Sequence, residues 1–246
     1  MKVAHGVEVL ELQVEAFGQR MVFNPTLIWD EEGAVLIDTG VPGQLEAIRR
    51  AMNQAGVSFE QLKAVIITHQ DIDHIGSLPA ILQECGERVK VYAHALEKPH
   101  IEGERPLFKL DPNRMPKERW ESLPPAMRAL AENPPRAKVD EVLADHQELP
   151  YGGGIQVIFT PGHTPGHISL YLKKHKLLVA GDAIACLNGE LLGPMPETTL
   201  DMAEAVRSLE KLADLDVDSV ICYHGGLCHH NVKEQLRRLV EQTKSE

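Results

Sequence analysis

The 246-residue chain is long enough for one large α/β domain or two small ones, and a fold of that size buries roughly 70–75% of the surface its unfolded chain exposes, so its core needs no staples. Hydrophobic residues at 43% and charged residues at 25% exclude a disordered or fibrous chain, while 4% aromatics and a formal charge of −11 speak against nucleic acid and anionic membrane surfaces as partners. No apolar run approaches the roughly 20 residues of a membrane span, residues 1–20 lack the pattern of a signal peptide, and the four cysteines lack CxxC spacing, so free thiols in the cytoplasm are expected.

In chain order, residues 24–29 and 34–38 are β-rich, and the second run ends in the turn Asp38-Thr39-Gly40. Leu45, Ile48, Met52 and Ala55 recur at helical spacing and predict a helix over 44–55, with Gly56 as its C-terminal stop. The continuous apolar run 64–68 suits a strand covered on both faces. Residues 69–76 then read as a loop, 78–84 as a helix and 89–92 as a strand. Nine of the sixteen prolines fall between Glu97 and Pro150, against about three or four for even spreading, which marks residues 97–150 as a loop-rich insertion. Inside it, the amphipathic stretch 115–132 predicts short helices broken at Pro124-Pro125. A lid over a substrate and a solvated surface excursion are equal expectations for this insertion.

After Gly152-Gly153-Gly154, strands are expected at 155–160, 168–172 and 177–180. Asp201 is a natural N-cap for a helix reaching to about residue 214, with Ala205, Leu209 and Leu212 on its apolar face. A last strand at 217–223 and a last helix at 231–242 complete the chain, which carries no repeat and reads as a single domain over 1–246.

The chemistry is concentrated in Thr68-His69-Gln70-Asp71-Ile72-Asp73-His74-Ile75-Gly76. Four potential metal ligands fall within six positions, directly after a buried strand. A tight loop at a strand end turns alternate side chains toward one point, and imidazole with carboxylate suits a first-row divalent metal. Thr160-Pro161-Gly162-His163-Thr164-Pro165-Gly166-His167 again follows a strand, as do Gly181-Asp182 and Tyr223-His224-Gly225-Gly226. Four strand ends that each deliver His or Asp have the pattern of a dinuclear site at one edge of packed sheets.

With these motifs the chain resembles the metallo-β-lactamase superfamily of metal-dependent hydrolases, whose signature is His-x-His-x-Asp-His followed by a distant His, Asp and His. The resemblance runs from Asn24-Pro25-Thr26 to Tyr223-His224-Gly225-Gly226. It implies an α/β fold, the four-layer αβ/βα sandwich of two mixed sheets with helices on the outer faces. It also implies two divalent metal ions, with zinc the first expectation. By this resemblance His69 and His163 bind the first metal, Asp73, His74 and His224 bind the second, and Asp182 bridges them. Asp38 is expected to orient a ligand from behind.

One position departs from the signature: Asp71 stands where the family has its second histidine, giving His-x-Asp-x-Asp-His. Asp71 is expected to replace that histidine on the first metal. Two divalent ions, one hydroxide and two carboxylates carry a net charge of about +1; a third carboxylate makes the core about neutral. Such a core acidifies its water less and favours Mn²⁺ or Fe²⁺ more than an imidazole-rich site does. Loss of the first metal altogether is the competing outcome.

The reaction implied is hydrolysis of a small ester, lactone or thioester by a metal-bridging hydroxide, with Asp73 orienting the nucleophile and moving its proton. His100 and Lys98 in the insertion are expected to reach over the metals. His167 and Tyr223 are expected to be structural, with Tyr223 turned into the core, and Cys186 and Cys222 to be small buried side chains. Two other classes stand beside the hydrolase. A di-iron oxygen or nitric-oxide reductase also places a carboxylate at the position of Asp71, but the relatives of that type carry a flavin domain for which 246 residues leave no room. A non-catalytic metal-binding module is the third. The expected partner is a small-molecule substrate, with monomer and homodimer both open.

Overall fold

Side chains along a strand alternate between its two faces, and here the alternation sorts the apolar residues into three layers. In the strand Gly33–Ile37, Ala34 and Leu36 pack with Ile48 and Met52 of the helix Leu45–Gln54, while Val35 and Ile37 face the opposite way. In the strand Leu62–Ile66, Val65 joins the first group with Leu78 and Ile81 of the helix Leu78–Cys85, and Ala64 and Ile66 join the second. That second group meets Val157, Ile168, Leu170, Leu177, Val179 and Ile221. On the far side, Leu178, Ala180 and Val220 pack on Leu209 and Leu212 of the helix Met202–Ala213 and on Leu236 and Leu239 of the helix Val232–Thr243. The layers therefore run helix, sheet, sheet, helix, as the αβ/βα sandwich requires.

This is a computed structural model that describes residues 1–16 and 19–243, so the final three residues of the expected 1–246 domain lie outside the described residues. One sheet runs in the spatial order Lys2–Ala4, Val7–Val9, Thr26–Asp30, Gly33–Ile37, Leu62–Ile66, Lys90–His94 and Glu141–Leu143. The other runs Glu148–Leu149, Ile155–Phe159, Ile168–Leu172, Leu177–Gly181, Ser219–Cys222 and Gly226–Cys228. Both are mixed: the last four strands of the first sheet are parallel, as are Leu177–Gly181 and Ser219–Cys222, and the remaining pairs are antiparallel. Among the described residues no helix is long and apolar enough to cross a membrane. All four cysteines are buried and unpaired.

The chain-order expectations meet this structure at most elements. Asp201 accepts from the Glu204 N–H at 3.0 Å and caps its helix, and the 115–132 stretch divides into Lys117–Ser122 and Pro125–Glu132 at the expected prolines. Two expectations are corrected. Residues 69–76 are not loop throughout, because Ile72–Ile75 wind into one helical turn. The range 97–150 is not all excursion either: Glu141–Leu143 and Glu148–Leu149 are edge strands, one in each sheet. Strands of two or three residues carry too short a pattern to register as periodicity.

Candidate metal centre

The side chains expected as ligands stand beyond the C-terminal ends of central strands, where connecting loops converge. His69 and Asp71 follow Leu62–Ile66, His163 follows Ile155–Phe159, Asp182 follows Leu177–Gly181 and His224 follows Ser219–Cys222. The helical turn Ile72–Ile75 then carries Asp73 and His74 to a neighbouring position. Two groups result: His69, Asp71, His163 and Asp182 form one, and Asp73, His74 and His224 the other, with the donor atoms of each within 4.8 Å of one another.

Asp182 joins them. Its Oδ2 lies 3.2 Å from His163 Nε2 and 3.3 Å from His224 Nε2, while its Oδ1 lies 3.3 Å from His74 Nε2. Asp71 Oδ2 stands 3.1 Å from His163 Nε2 and 3.3 Å from His69 Nε2, and Asp73 Oδ2 is 3.3 Å from His224 Nε2. All seven residues expected as ligands thus share one cleft.

Buried partners hold this arrangement from behind. Asp38 has φ +61°, a left-handed conformation that asparagine and aspartate tolerate best among residues with a side chain. From there its carboxylate accepts from the Thr68 N–H at 2.9 Å and the Thr68 hydroxyl at 2.8 Å, and it meets His74 Nδ1 at 2.9 Å. His74 therefore donates Nδ1–H to Asp38 and turns Nε2 inward, the nitrogen a metal ion would take in exchange for a proton. His167 accepts the Asp182 N–H through Nε2 at 3.0 Å, while its Nδ1 lies 2.9 Å from the Thr160 hydroxyl. Gly181 makes this possible: its φ is +56°, and a Cβ there would stand 2.6 Å from His167 Nε2.

Glu97 ties two of the ligand loops together. Its Oε2 accepts from the backbone and side-chain N–H groups of Gln70, both at 2.9 Å. Its Oε1 accepts from the Thr164 hydroxyl at 2.9 Å and the Gly166 N–H at 2.7 Å. The next residue along from His69 and the next from His163 thus hang on one buried carboxylate. Gly166 must be glycine for this approach, since a Cβ would come within 2.7 Å of Glu97 Oε1.

The electrostatics of the cleft follow from crowding acids and imidazoles out of water. Burial, with help from His74, pushes His69 well below its usual pKa. Burial also pushes His74 down, but Asp182, Asp38 and Asp73 outweigh it and hold His74 well above the ordinary value. His224, where burial is likewise outweighed by Asp182 and Asp73, is raised to about 10. Burial opposes ionisation of Asp182 and Asp71, yet their imidazole neighbours, with Lys109 also acting on Asp71, keep both carboxyls well below the usual range. The cluster carries more negative charge than its surroundings neutralise, so it draws protons onto His74 and His224 that a metal cation would replace. Three atoms make the same point geometrically: among the described residues, His69 Nε2, His74 Nε2 and Asp182 Oδ1 are buried in the cleft with no hydrogen-bond partner. An orphaned buried acceptor costs about 1–3 kcal/mol, and three aimed at one place fit a cation bound there.

The sequence pattern of the Metallo-beta-lactamase superfamily matches residues 23–224, from the strand pair next to Asn24 to the last histidine of the cluster. The chain belongs to that superfamily. A protein from Bacillus subtilis (strain 168), the probable metallo-hydrolase YflN, is 32% identical over 264 residues, spanning 99% of this chain and 93% of that protein. The hydroxyacylglutathione hydrolase GloC of Haemophilus influenzae is 28% identical over 70% of each chain. Among solved structures, the metallo-beta-lactamase family protein TTHA1429 of Thermus thermophilus superposes with a TM-score of 0.73 at 23% identity, over 98% of this chain and 80% of that one. The archaeal superfamily protein ST1585 of Sulfolobus tokodaii gives 0.69 at 23% identity, over 96% of this chain and 85% of that one. With the family pattern and these relatives, the chain is a metal-dependent hydrolase of the superfamily.

Within this superfamily member the two residues expected to overhang the metals do other work. The Lys98 ammonium donates to the Val139 carbonyl at 2.7 Å and pairs with Glu102 at 3.1 Å. His100 is buried against Phe108, with its Nδ1 on the Pro106 carbonyl. Both are corrected to internal braces of the insertion, because a helical turn over Lys98–Ile101 folds them onto their own segment. Tyr223 is buried as expected but does not simply fill the core: its ring lies 3.8 Å from that of His74, and its hydroxyl donates to the Asp73 carbonyl.

Sequence patterns gave no role to Glu97, Gln70 or Lys109. Lys109, from the same insertion, reaches the cluster. From the short turn Phe108–Leu110 its ammonium reaches Asp71 Oδ2 at 2.5 Å and His163 Nε2 at 2.6 Å. Lys109 also lines a cavity of about 460 Å³ beside the cluster, together with Phe108, Arg114, Met115, Arg119 and Leu200. A single lysine in a proline-rich stretch carries no local signal of such a contact.

Proposed function

We propose that this chain holds two divalent metal ions and hydrolyses a small acyl substrate, a thioester first, with lactones and simple esters as the nearest alternatives. The observation that carries this reading is the convergence of four histidines and three aspartates on one cleft with unpartnered buried nitrogens facing inward. His69, Asp71 and His163 would hold one ion, Asp73, His74 and His224 the other, and Asp182 both; the mixed imidazole and carboxylate set suits zinc, with manganese or iron favoured by Asp71. Bound there, such ions supply Lewis acidity and make water acidic enough to attack at neutral pH.

The protein's own contribution is positioning. Asp38, His167 and Glu97 keep the cleft's donors aligned before any substrate arrives, so little reorganisation is needed during reaction. His69 and His74 are fully buried, whereas the side chains of Asp73 and His224 are 24% and 34% exposed, so substrate and protons enter on that side. Asp73 is the carboxylate placed to orient the attacking water and take its proton. The neighbouring cavity has Lys109, Arg114 and Arg119 but also Asp111 and Glu197 on its wall, so it offers an acyl carrier polar contacts of both signs. Thioesters stand first because two of the related proteins are hydroxyacylglutathione hydrolases. The four unpaired buried thiols suit the cytoplasm.

The test is elemental analysis of protein purified without chelator, followed by turnover of a panel of S-acyl glutathiones, short acyl thioesters, lactones and p-nitrophenyl esters. Thioester hydrolysis that disappears on chelation and returns with zinc or manganese is expected. Iron content with oxygen uptake and a silent panel would replace this reading by the di-iron oxidoreductase.

A further inference from the structure

We propose that the Lys109 ammonium is a resident cation of the His69, Asp71, His163 and Asp182 subsite and competes with a metal ion for it. The Asp73, His74 and His224 subsite meets no lysine or arginine among the described residues and gives up only protons to a metal, so the loss of Lys109 leaves it unchanged. This inference rests on the metal-hydrolase reading above and concerns which of its two cation positions the protein's own charge contests.

Lys109 is aimed, not left to wander. Leu107 is buried in the core beneath it, and the Phe108 N–H donates to Gln70 Oε1 at 2.8 Å. Gln70 is held in turn by Glu97. The turn is thereby fastened to the residue next to His69, and the ammonium falls between Asp71 and His163. A lysine has three hydrogens and no acceptor, so at these distances it donates to both. His163 Nε2 also lies 3.1 Å from Asp71 Oδ2 and 3.2 Å from Asp182 Oδ2, so the ammonium sits where imidazole and carboxylates crowd one point.

The lone pairs used in this way are those a metal ion needs. Entry of a metal into this subsite must first break two charge-assisted hydrogen bonds and expel a like charge. The other subsite has a different environment: among the described residues, Asp73 and Asp182 pair only with imidazoles. The Lys109 side chain is 23% exposed and borders the cavity, so its ammonium has access to water when displaced.

The experiment is calorimetric titration of metal-free protein with Mn²⁺ and with Zn²⁺, comparing wild type with Lys109→Met and Lys109→Arg. Wild type is expected to show two steps separated by at least about tenfold in affinity. Lys109→Met should tighten the weaker step by about tenfold or more and leave the stronger one within about twofold, whereas Lys109→Arg keeps the weaker step weak. Lys109→Gln gives the same loss of charge should the methionine variant not fold. Two equal steps in wild type, or a weaker step that ignores the loss of charge, overturn the proposal while leaving the metal-hydrolase reading intact. Failure of every variant to bind metal overturns both.

Discussion

Asp38 Oδ2 stands 2.9 Å from His74 Nδ1, and this contact decides which nitrogen of His74 faces the metal centre. A bare carboxylate can only accept, so Nδ1 keeps its proton and Nε2 is the nitrogen left for a metal ion to take. Asp38→Asn puts an amide where the acceptor was and lets the imidazole take the wrong tautomer. A roughly 10–100-fold loss of metal affinity is expected, of the order seen when such partners are removed, and competition against a chromophoric chelator would measure it. Unchanged affinity would reduce Asp38 to a turn residue.

Among the described residues, Asp182 is the side chain that approaches histidines of both groups. Its replacement by alanine should therefore lower metal content at both positions and abolish hydrolysis together. Elemental analysis after gel filtration checks this, and two retained ions per chain would contradict a bridging role.

As a ligand, Asp71 would set the hardness of its subsite. Asp71→His exchanges a carboxylate for an imidazole and should raise zinc preference over manganese by about tenfold or more. Competition between the two ions, read by elemental analysis, gives the ratio. An unchanged ratio would place Asp71 outside the coordination sphere.

Glu97 is fully buried and accepts four hydrogen bonds. Glu97→Ala strands all four donors and should destabilise the protein by about 3–5 kcal/mol, the range for breaking a buried ionic group's contacts. Glu97→Gln keeps the shape but turns an amide N–H toward other donors, and an intermediate loss is expected. Urea unfolding with and without metal separates this effect from metal loss.

His167 and His224 give the metal-free protein opposite pH dependences. Burial holds His167 at about 3 in the folded chain against 6.5 when free. Its contribution to stability is thus complete above pH 6.5 and is lost as the pH falls from there toward 3. His224, raised to about 10 by Asp182 and Asp73 against the effect of burial, contributes fully below pH 6.5 and loses that contribution as the pH rises through about 10. Urea midpoints in chelator between about pH 4 and about pH 10 should fall at both ends, and His224→Gln should lessen the alkaline fall, which His74 shares, without changing the acid one.

Short-range pattern announced the buried strands, such as the apolar run 64–68, and the crowding of His69, Asp71, Asp73 and His74 into six positions directly after one of them. The layered fold and the joining of His163, Asp182 and His224 to that group were implied by the family resemblance that the ordered motifs carry. The tertiary structure alone decided how the cleft is held and where Lys109 sits within it. Lys109 lies 38 residues from Asp71, and Glu97 lies 27 from Gln70 and 67 from Thr164. Nothing local distinguishes that lysine or that glutamate from their many counterparts on the surface. Their meaning comes from burial and from a partner supplied by a distant loop, and both exist only after the two sheets have packed.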